Sequence, residues 1–197
     1  MPRDRSPLPL RHAIALGLAQ GPTELLPVSS SAHTTLIPWL LGWRYEELEA
    51  EARKAFEVAL HVGAGLALAI DMRQELIEAA LQADRRRVAV TALSIAPPAL
   101  AGYTLRGPIE RGLGGPRSIA AGLIGGALAM ALADRRPRAG TRLLRDARAT
   151  DGLALGFAQA IALVPGISRN GATLAVARAR GFGRGDAQTL SWRGRCR

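Results

Sequence analysis

Two short segments carry the side chains best suited to chemistry in this 197-residue chain. The first, at residues 15–36, contains an amide, an acid, consecutive hydroxyls and an imidazole: Gln20, Glu24, Ser29, Ser30, Ser31 and His33. The second, at residues 154–174, contains an arginine among small polar residues: Ser168, Arg169, Asn170 and Thr173. An acid, hydroxyl and imidazole set that faces an arginine suggests phosphate as the bound group, because a guanidinium fork matches phosphate oxygens.

The residues of the first segment also have structural interpretations. Glu24 is costly in an apolar segment unless it is paired, protonated or bound to a cation, but it would be ordinary in a surface loop. Ser29–Ser31 precede an apolar helical run, so at least one is expected to cap that helix, and three exceed what one cap needs. Amides at a helix start favour an anion, and hydroxyls add donors. His33 is either an interior hydrogen-bonded histidine or a general acid or base.

Several pairs of residues have two interpretations. Gln20 and Glu24 would share a face if their segment were helical, although Gly21-Pro22 favours a strained turn equally. Arg169 would bind phosphate or, alternatively, form a structural ion pair with Glu24. Glu57 and His61, at helical spacing, would project from one face of a later helix and either support the site or line its cavity.

The two segments also repeat each other. Ala15-Leu16-Gly17-Leu18-Ala19-Gln20 is matched by Ala154-Leu155-Gly156-Phe157-Ala158-Gln159. Each copy then reaches a proline followed three residues later by a serine, at Pro27 and Ser30 and at Pro165 and Ser168. A duplicated apolar segment that is broken in corresponding places of two halves indicates a membrane protein with a central site. The alternative is a chance match in a chain rich in Ala, Leu and Gly.

The charge distribution agrees with a membrane protein. Hydrophobic residues make up 48% of the chain, and its mean hydropathy is only +0.10, but the average hides apolar stretches at 88–105 and 118–133. Each has about the length that crosses a bilayer. The net charge of +10 comes from arginine clusters that flank these stretches, at 85–87 and 135–148. Such clusters are typical of cytoplasmic loops, and without interleaved aromatics they do not favour nucleic-acid binding.

The order of segments predicts a topology. Half-helices at 12–20 and 31–43, broken by Gly21-Pro22 and by residues 27–30, form a hairpin that enters the membrane and returns. A polar loop follows at 44–54, and then a span at 56–70 that continues into 72–82. The next span, at 88–105, is kinked by Pro97-Pro98. The last span, at 118–133, contains Gly122, Gly125 and Gly126, which allow close helix packing. A second broken segment covers 152–181. Three crossings place the two hairpins on opposite faces, so their tips can meet near the midplane.

The predicted fold is therefore all-α: a polytopic membrane protein with an inverted-topology repeat and two re-entrant broken-helix hairpins. We expect one domain over residues 1–197, with a first repeat at about 8–87 and an incomplete second one at about 88–197. The lone Cys196 excludes an intrachain disulfide and a cysteine metal site. No removed signal peptide is expected in residues 1–11.

At both motifs the chain resembles the undecaprenyl-diphosphatase family, the bacitracin-resistance membrane phosphatases. Residues 20–33 match the family's Glu/Gln-x-x-x-Glu element with the serine and histidine that follow it. Residues 165–173 match Pro-Gly-x-Ser-Arg-Ser-Gly-Ala-Thr, with Asn170 where serine is usual. Phe56-Glu57-Val58 is also similar, and the likeness runs from about residue 8 to 190.

The resemblance implies hydrolysis of undecaprenyl diphosphate to the monophosphate and phosphate, which recycles the lipid carrier of cell-wall synthesis. It implies a divalent cation, magnesium being expected, and a site that opens outward from the bacterial plasma membrane. It makes Ser30 the nucleophile or the orienting hydroxyl and His33 the proton-transfer partner. Gln20 and Glu24 would hold the cation or polarise water. The substrate would be bound by Ser29, Ser168, Arg169, Asn170 and Thr173.

Other expectations concern partners and completeness. The partners are a polyprenyl diphosphate and the bilayer, not nucleic acid, and a homodimer is compatible with the sequence. A rival function is a lipid-phosphate transporter or flippase, since inverted repeats with broken helices are a transporter architecture. The family continues through further apolar helices, whereas residues 191–197 here form a basic tail. We expect a truncated or frameshifted copy that is weakly active or inactive.

Overall fold

A computed structural model describes residues 8–45, 47–81, 83–135 and 141–193 of the chain. Its helices are α1 (Leu10–Leu25), α2 (Ser30–Leu40), α3 (Ala50–Asp71), α4 (Arg73–Leu81), α5 (Arg85–Leu113), α6 (Pro116–Asp134), α7 (Ala149–Ile161), α8 (Arg169–Ala179) and α9 (Arg184–Arg193). A 3₁₀ turn lies at Leu144–Asp146, and one isolated bridge joins Arg142 to Phe182. No β-strand occurs within the described ranges, so the all-α prediction is confirmed. Residues 136 and 138 of the basic loop and residues 194–197 of the tail lie outside those ranges.

Two of the described helices are long and apolar enough to cross a membrane. They are Arg85–Leu105 within α5, with a mean hydropathy of 1.5, and α6, with 1.4. The spans expected at 88–105 and 118–133 lie inside them, and α5 stays helical through Pro97-Pro98. Their large apolar side chains are mostly exposed, as at Leu100 and Leu128. Such surfaces suit lipid, and the chain is accordingly a membrane protein.

The third expected span differs from its prediction. Residues 56–70 and 72–82 were expected to form one continuing helix, but α3 and α4 meet at Met72 with a bend of 71°. Together the bent pair is apolar enough to count as a third span. The last predicted residue, Gln82, falls outside the described residues.

The first broken pair is α1 and α2. The expected helix end at Gln20 is wrong, because α1 continues through Gly21-Pro22 to Leu25. Pro22 removes only the amide that would bond the Leu18 carbonyl, and apolar helices tolerate such a loss when neighbours compensate. The break is confined to residues 26–29. The polar loop expected at 44–54 is also shorter, because α3 begins at Ala50.

The second broken pair, α7 and α8, is confirmed, with its break at residues 162–168. Glycine spacing lets α7 pack closely on α5. A Cβ added at Gly156 would lie 2.5 Å from the Leu93 carbonyl, and Gly152 contacts the Val90 backbone as closely. Glycines four residues apart allow this approach between helices in lipid. Packing on α5 therefore fixes α7 along its length.

Helix α6 supports the tip of the second pair. It packs on both α2 and α8. Gly166 has a φ of +95° and lies on the Ile119 carbonyl, where a Cβ would overlap. A Cβ at Gly122 would come within 2.6 Å of the Pro165 carbonyl, as close packing there predicts, whereas one at Gly125 or Gly126 would meet nothing within 4 Å. The break of the second pair thus lies directly against α6.

Candidate active site

The two broken pairs touch at their tips. The Asn170 side-chain amide donates to the Leu25 carbonyl at 3.0 Å, and this bond joins residues 145 positions apart in the chain. A cavity of about 130 Å³ lies at this junction. Its polar lining comes from both tips and from α3: Thr23, Glu24, Ser29, Ser30, Ser31, His61, Ser168, Arg169 and Asn170. The structure therefore brings together most of the residues that the two sequence motifs supply.

Glu24 is the centre of the first half of the site. Because α1 remains helical, Gln20 and Glu24 share one face, and Gln20 Nε2 donates to Glu24 Oε2 at 3.3 Å. Ser30 Oγ donates to the same carboxylate oxygen at 2.5 Å. Ser30 is only 9% exposed and the Glu24 side chain 25%, so this charge-assisted bond is partly shielded from water. A serine hydroxyl held on a carboxylate is arranged to give up its proton as its oxygen attacks.

The serine triplet does not cap α2 in the expected way. Ser29 occupies the cap position, but its side chain makes no cap hydrogen bond, so that expectation is wrong. Ser29 has a φ of +64°, outside the extended region from which cap side chains reach the first amides. Its hydroxyl lies 3.2 Å from that of Ser31 instead. A non-glycine residue in this backbone region is strained, and such strain is found at functional sites.

The second half of the site presents a cation. Arg169 is exposed and lines the cavity, and its guanidinium makes no hydrogen bond or ion pair with the described residues. The structural ion pair with Glu24, left open by the sequence, is therefore not formed. Arg169 begins α8 directly after Ser168, whose hydroxyl caps that helix by accepting from the Gly171 amide at 3.1 Å. A helix start and an unpaired guanidinium together attract an anion.

Two of the expected substrate-binding side chains are engaged in internal hydrogen bonds. Thr173 is buried, and its hydroxyl lies 2.6 Å from that of Ser191. Ser191 also donates to Asn170 Oδ1 at 2.7 Å, so both ends of the Asn170 amide are used. Asn170 borders the cavity, but Thr173 is not among the residues that line it. Ser191, counted with the basic tail in the sequence, thus belongs to the packing behind the site.

The histidine nearest to Glu24 is His61. Its Nε2 lies 3.9 Å from Glu24 Oε2, while its Nδ1 lies 2.8 Å from the Glu57 carbonyl. The ring of His33 lies 2.8 Å from the Ser29 carbonyl, and His33 does not line the cavity. Only the i, i+4 spacing of Glu57 and His61 hinted at this arrangement, since α3 is remote from both motifs in sequence.

The loop before α3 is tied to the same helix. Tyr45 is almost completely buried, and its hydroxyl donates to the Glu57 carboxylate at 3.2 Å. Burial, and next the negative charge of Glu57, raise the pKa of Tyr45, so the hydroxyl keeps its proton. This bond fixes the start of α3 and with it the position of His61.

An ion cluster holds the other end of the second broken pair. Asp151, 1% exposed, accepts from Arg142 at 3.0 and 2.6 Å and also bonds Arg180. Burial alone would raise the pKa of Asp151, but the hydrogen bonds from Arg142, the Arg148 amide and Arg180 lower it to about 2. The cluster joins the start of α7 to the end of α8, so it determines how their tip is presented.

A divalent cation can be tested against these residues. Among the described residues, no group of three His, Cys, Asp or Glu side chains could hold a metal on its own. Gln20 Oε1, however, is buried and has no hydrogen-bond partner among the described residues. The Gln20 amide lies next to the Glu24 carboxylate. One carboxylate and one amide oxygen suit Mg²⁺, which usually binds one or two carboxylates together with substrate phosphates. The residues therefore fit a cation that the diphosphate helps to hold.

The chain is similar to known proteins over almost its whole length. The family of the bacitracin resistance protein BacA matches residues 13–193. An undecaprenyl-diphosphatase of Geobacter sulfurreducens is 40% identical over 197 residues, covering 93% of this chain and 70% of the relative. Those of Geobacter metallireducens and Desulforudis audaxviator are 40% and 38% identical, each covering 92% of this chain and 69% of the relative. The chain belongs to the BacA family of undecaprenyl-diphosphatases.

Proposed function

We propose that this chain hydrolyses undecaprenyl diphosphate to undecaprenyl phosphate and inorganic phosphate. The observation that carries the proposal is the convergence of Glu24, Ser30 and Arg169 on one small cavity. Phosphoryl transfer depends mainly on positioning and on neutralising charge, and these three side chains supply a base, a hydroxyl and a phosphate-binding cation. The names of the relatives support the same reaction.

The hydrogen bond between Ser30 and Glu24 suggests how the reaction begins. Glu24 accepts the hydroxyl proton as Ser30 Oγ forms a bond to the terminal phosphorus. The bond from that phosphorus to the bridging oxygen breaks, and its electron pair leaves with undecaprenyl phosphate. Water then displaces the phosphate from Ser30, and the serine oxygen recovers a proton from Glu24. If water attacks directly instead, Ser30 orients it and no phosphoserine forms.

The remaining residues bind the diphosphate and neutralise its charge. Arg169 holds the terminal phosphate, and the Ser29 and Ser168 hydroxyls lie beside it in the cavity lining. Gln20 and Glu24 would hold the divalent cation, which when bound neutralises charge on the diphosphate. The resemblance gives proton transfer to His33, but the position of His61 beside Glu24 supports His61 as the group that exchanges protons with Glu24 after the serine has been deprotonated.

The same proposal includes a topology. The pairs α1–α2 and α7–α8 are re-entrant hairpins of an inverted repeat in the bacterial plasma membrane, with α3, α5 and α6 as the crossings between them. The odd number of crossings and the contact between the tips support this. Arg86 bonds the Ala147 carbonyl at 3.2 Å, so the two basic clusters meet at the end of α5 and α7 away from the cavity. The positive-inside rule makes that end cytoplasmic and the site outward-facing.

Phosphate release by the purified chain tests the reaction. Because both motifs meet at one cavity, we expect release from a polyprenyl diphosphate with Mg²⁺ in detergent, in place of the weak or absent activity predicted from the sequence. Glu24→Gln should lower this release by about 10²- to 10⁴-fold, the usual worth of a general base. Removing the cation with a chelator should also stop release. Acid-stable radiolabel on Ser30 would support the serine nucleophile. Movement of the lipid without release of phosphate would favour the transporter and contradict hydrolysis.

A further inference from the structure

A second cavity lies at the opposite end of α7 from the proposed active site. Its volume is about 360 Å³, within the range of about 300–1,000 Å³ that is typical of small-molecule sites. It is bordered by the start of α5, by residues 143–147 and by α7 and α9. Along α7 the nearest lining residues of the two cavities, Leu155 and Ala162, are seven residues or about 10 Å apart.

The mouth of this cavity is basic. Arg86, Arg87 and Arg145 line it together with the carboxylate of Asp186, and the exposed Asp84 carboxylate lies 3.9 Å from Arg87 Nε. Asp186 is already engaged, because it accepts from the Leu144 amide at 2.9 Å. Arg145 is exposed, and its side chain makes no hydrogen bond or ion pair with the described residues. The mouth thus presents positive charge that the surrounding chain does not fully neutralise.

The floor of the cavity is effectively apolar. Along α5 the lining passes from Arg86 through Val90 to Ser94, a rise of about 12 Å, and Leu155 and Leu190 face it. Ser94 is buried and adds little polarity, because its hydroxyl donates to the Thr91 carbonyl at 2.8 Å. Charge at the mouth and apolar walls beneath are the complement of an anionic amphiphile, with a phosphate above and hydrocarbon below.

The position of the mouth identifies the source of that amphiphile. It lies at the end of α5, one of the two described helices that can cross a membrane alone, so it opens where lipid headgroups are found. Basic pockets at the ends of membrane helices bind anionic lipid headgroups. We propose that this cavity binds an anionic phospholipid, with its phosphate at Arg87 and Arg145 and an acyl chain along Val90 and Leu155. This site is separate from the proposed hydrolysis and does not depend on it.

Lipid retention measured by native mass spectrometry tests the site. The full chain, purified in detergent, is titrated with phosphatidylglycerol and with phosphatidylcholine of the same acyl chains. We expect phosphatidylglycerol to bind at least about tenfold more tightly. The double substitution Arg87→Gln with Arg145→Gln should remove that preference. The matched control, Arg11→Gln with Arg117→Gln, deletes two exposed charges outside the cavity lining and should retain it.

Filling the cavity separates a built site from general attraction to a basic protein. Thr91→Trp keeps every charge but occupies the floor, so it should weaken phosphatidylglycerol binding about as much as the charge substitutions. Leu143→Trp at the mouth gives the same test should the first variant fail to fold, and thermal unfolding in phosphatidylcholine identifies that failure. The proposal is overturned if the control pair loses the preference for phosphatidylglycerol equally, or if binding is unchanged in the folded tryptophan variants. It is also overturned if glycerol phosphate displaces the lipid at equal concentration.

Discussion

Replacing Arg169 with alanine should remove activity and leave the fold intact. Arg169 is exposed, and its guanidinium bonds nothing among the described residues, so no internal interaction is lost. Alanine is also the best helix former, which suits the first position of α8. We therefore expect the free energy of unfolding to change by less than about 0.5 kcal/mol, as for an ordinary surface substitution.

The expected loss of activity follows from the bonds that a guanidinium makes to phosphate. Two charge-assisted hydrogen bonds are worth about 1.5–3 kcal/mol each, or about 3–6 kcal/mol together. Arginines that act on a transferring phosphoryl group contribute about 10³- to 10⁵-fold to the rate. Arg169→Ala should thus lower phosphate release by about 10³-fold or more. Arg169→Lys keeps the charge and loses the fork, so a loss of about 10- to 100-fold is expected.

The assay pairs phosphate release from a polyprenyl diphosphate with thermal unfolding of the same preparation. Arg178, on the same helix, is the matched control, because it is 8% exposed, bonds Asp134 at 3.0 Å and donates to the Phe182 carbonyl at 2.9 Å. Arg178→Ala should cost about 2–3 kcal/mol of stability, because it leaves the Phe182 carbonyl without its charged donor, while its folded fraction stays active. Arg169 does not bind the phosphate as proposed if Arg169→Ala keeps more than about a tenth of the wild-type turnover, or if it destabilises as much as Arg178→Ala.

Three further predictions concern the scaffold and the proton-transfer residue. Asp151→Asn should destabilise by about 2–3 kcal/mol, because it leaves the partly buried Arg142 and Arg180 without their counter-ion while solvent screens part of the cost. Because folding lowers the pKa of Asp151 from 3.8 to about 2, its contribution to the stability of the wild type is complete above pH about 4 and is lost as the pH falls toward 2. Thermal unfolding measured across that pH range tests this. Gly166→Ala should lower both melting temperature and turnover, because its φ of +95° and the Ile119 carbonyl exclude a Cβ. His61→Ala should lower phosphate release more than His33→Ala does, because only His61 lines the cavity; equal or reversed losses would return the role to His33.

The sequence predicts the motifs, the broken pairs and the apolar spans because each is a local property of the chain. The proline and glycine breaks and the hydrophobic lengths are visible without knowledge of packing. The end of α1 could not be predicted in this way, since Pro22 stops a helix in water but not in every packed apolar environment. The bend at Met72 could not be predicted either, because no proline or glycine lies beside it.

The membership of the site is a tertiary property, and there the sequence is weaker. His61 reaches Glu24 only because α3 returns past the tip of α1, which no local pattern specifies. Thr173 has the residue type of a phosphate ligand, yet its hydroxyl is bonded to Ser191, which the sequence alone assigns to a tail. Residue type and motif position therefore identify candidate site residues. Only the packing distinguishes the residues that line the cavity from those that support them.

A difference between the two similar segments explains why Ser30 is a candidate nucleophile and Ser168 is not. Ser30 and Ser168 each follow a proline by three residues, but between Gln159 and Pro165 the second copy is apolar and has no counterpart to Glu24. Without a nearby carboxylate, the Ser168 hydroxyl accepts from a helix amide, whereas the Ser30 hydroxyl donates to Glu24. The two matching glutamines also differ in their partners. Gln20 donates to Glu24, whereas the Gln159 amide donates to the Ser94 carbonyl and holds α7 on α5. The second segment thus supplies a cation, Arg169, while the first supplies the acid, Glu24, that can activate a hydroxyl.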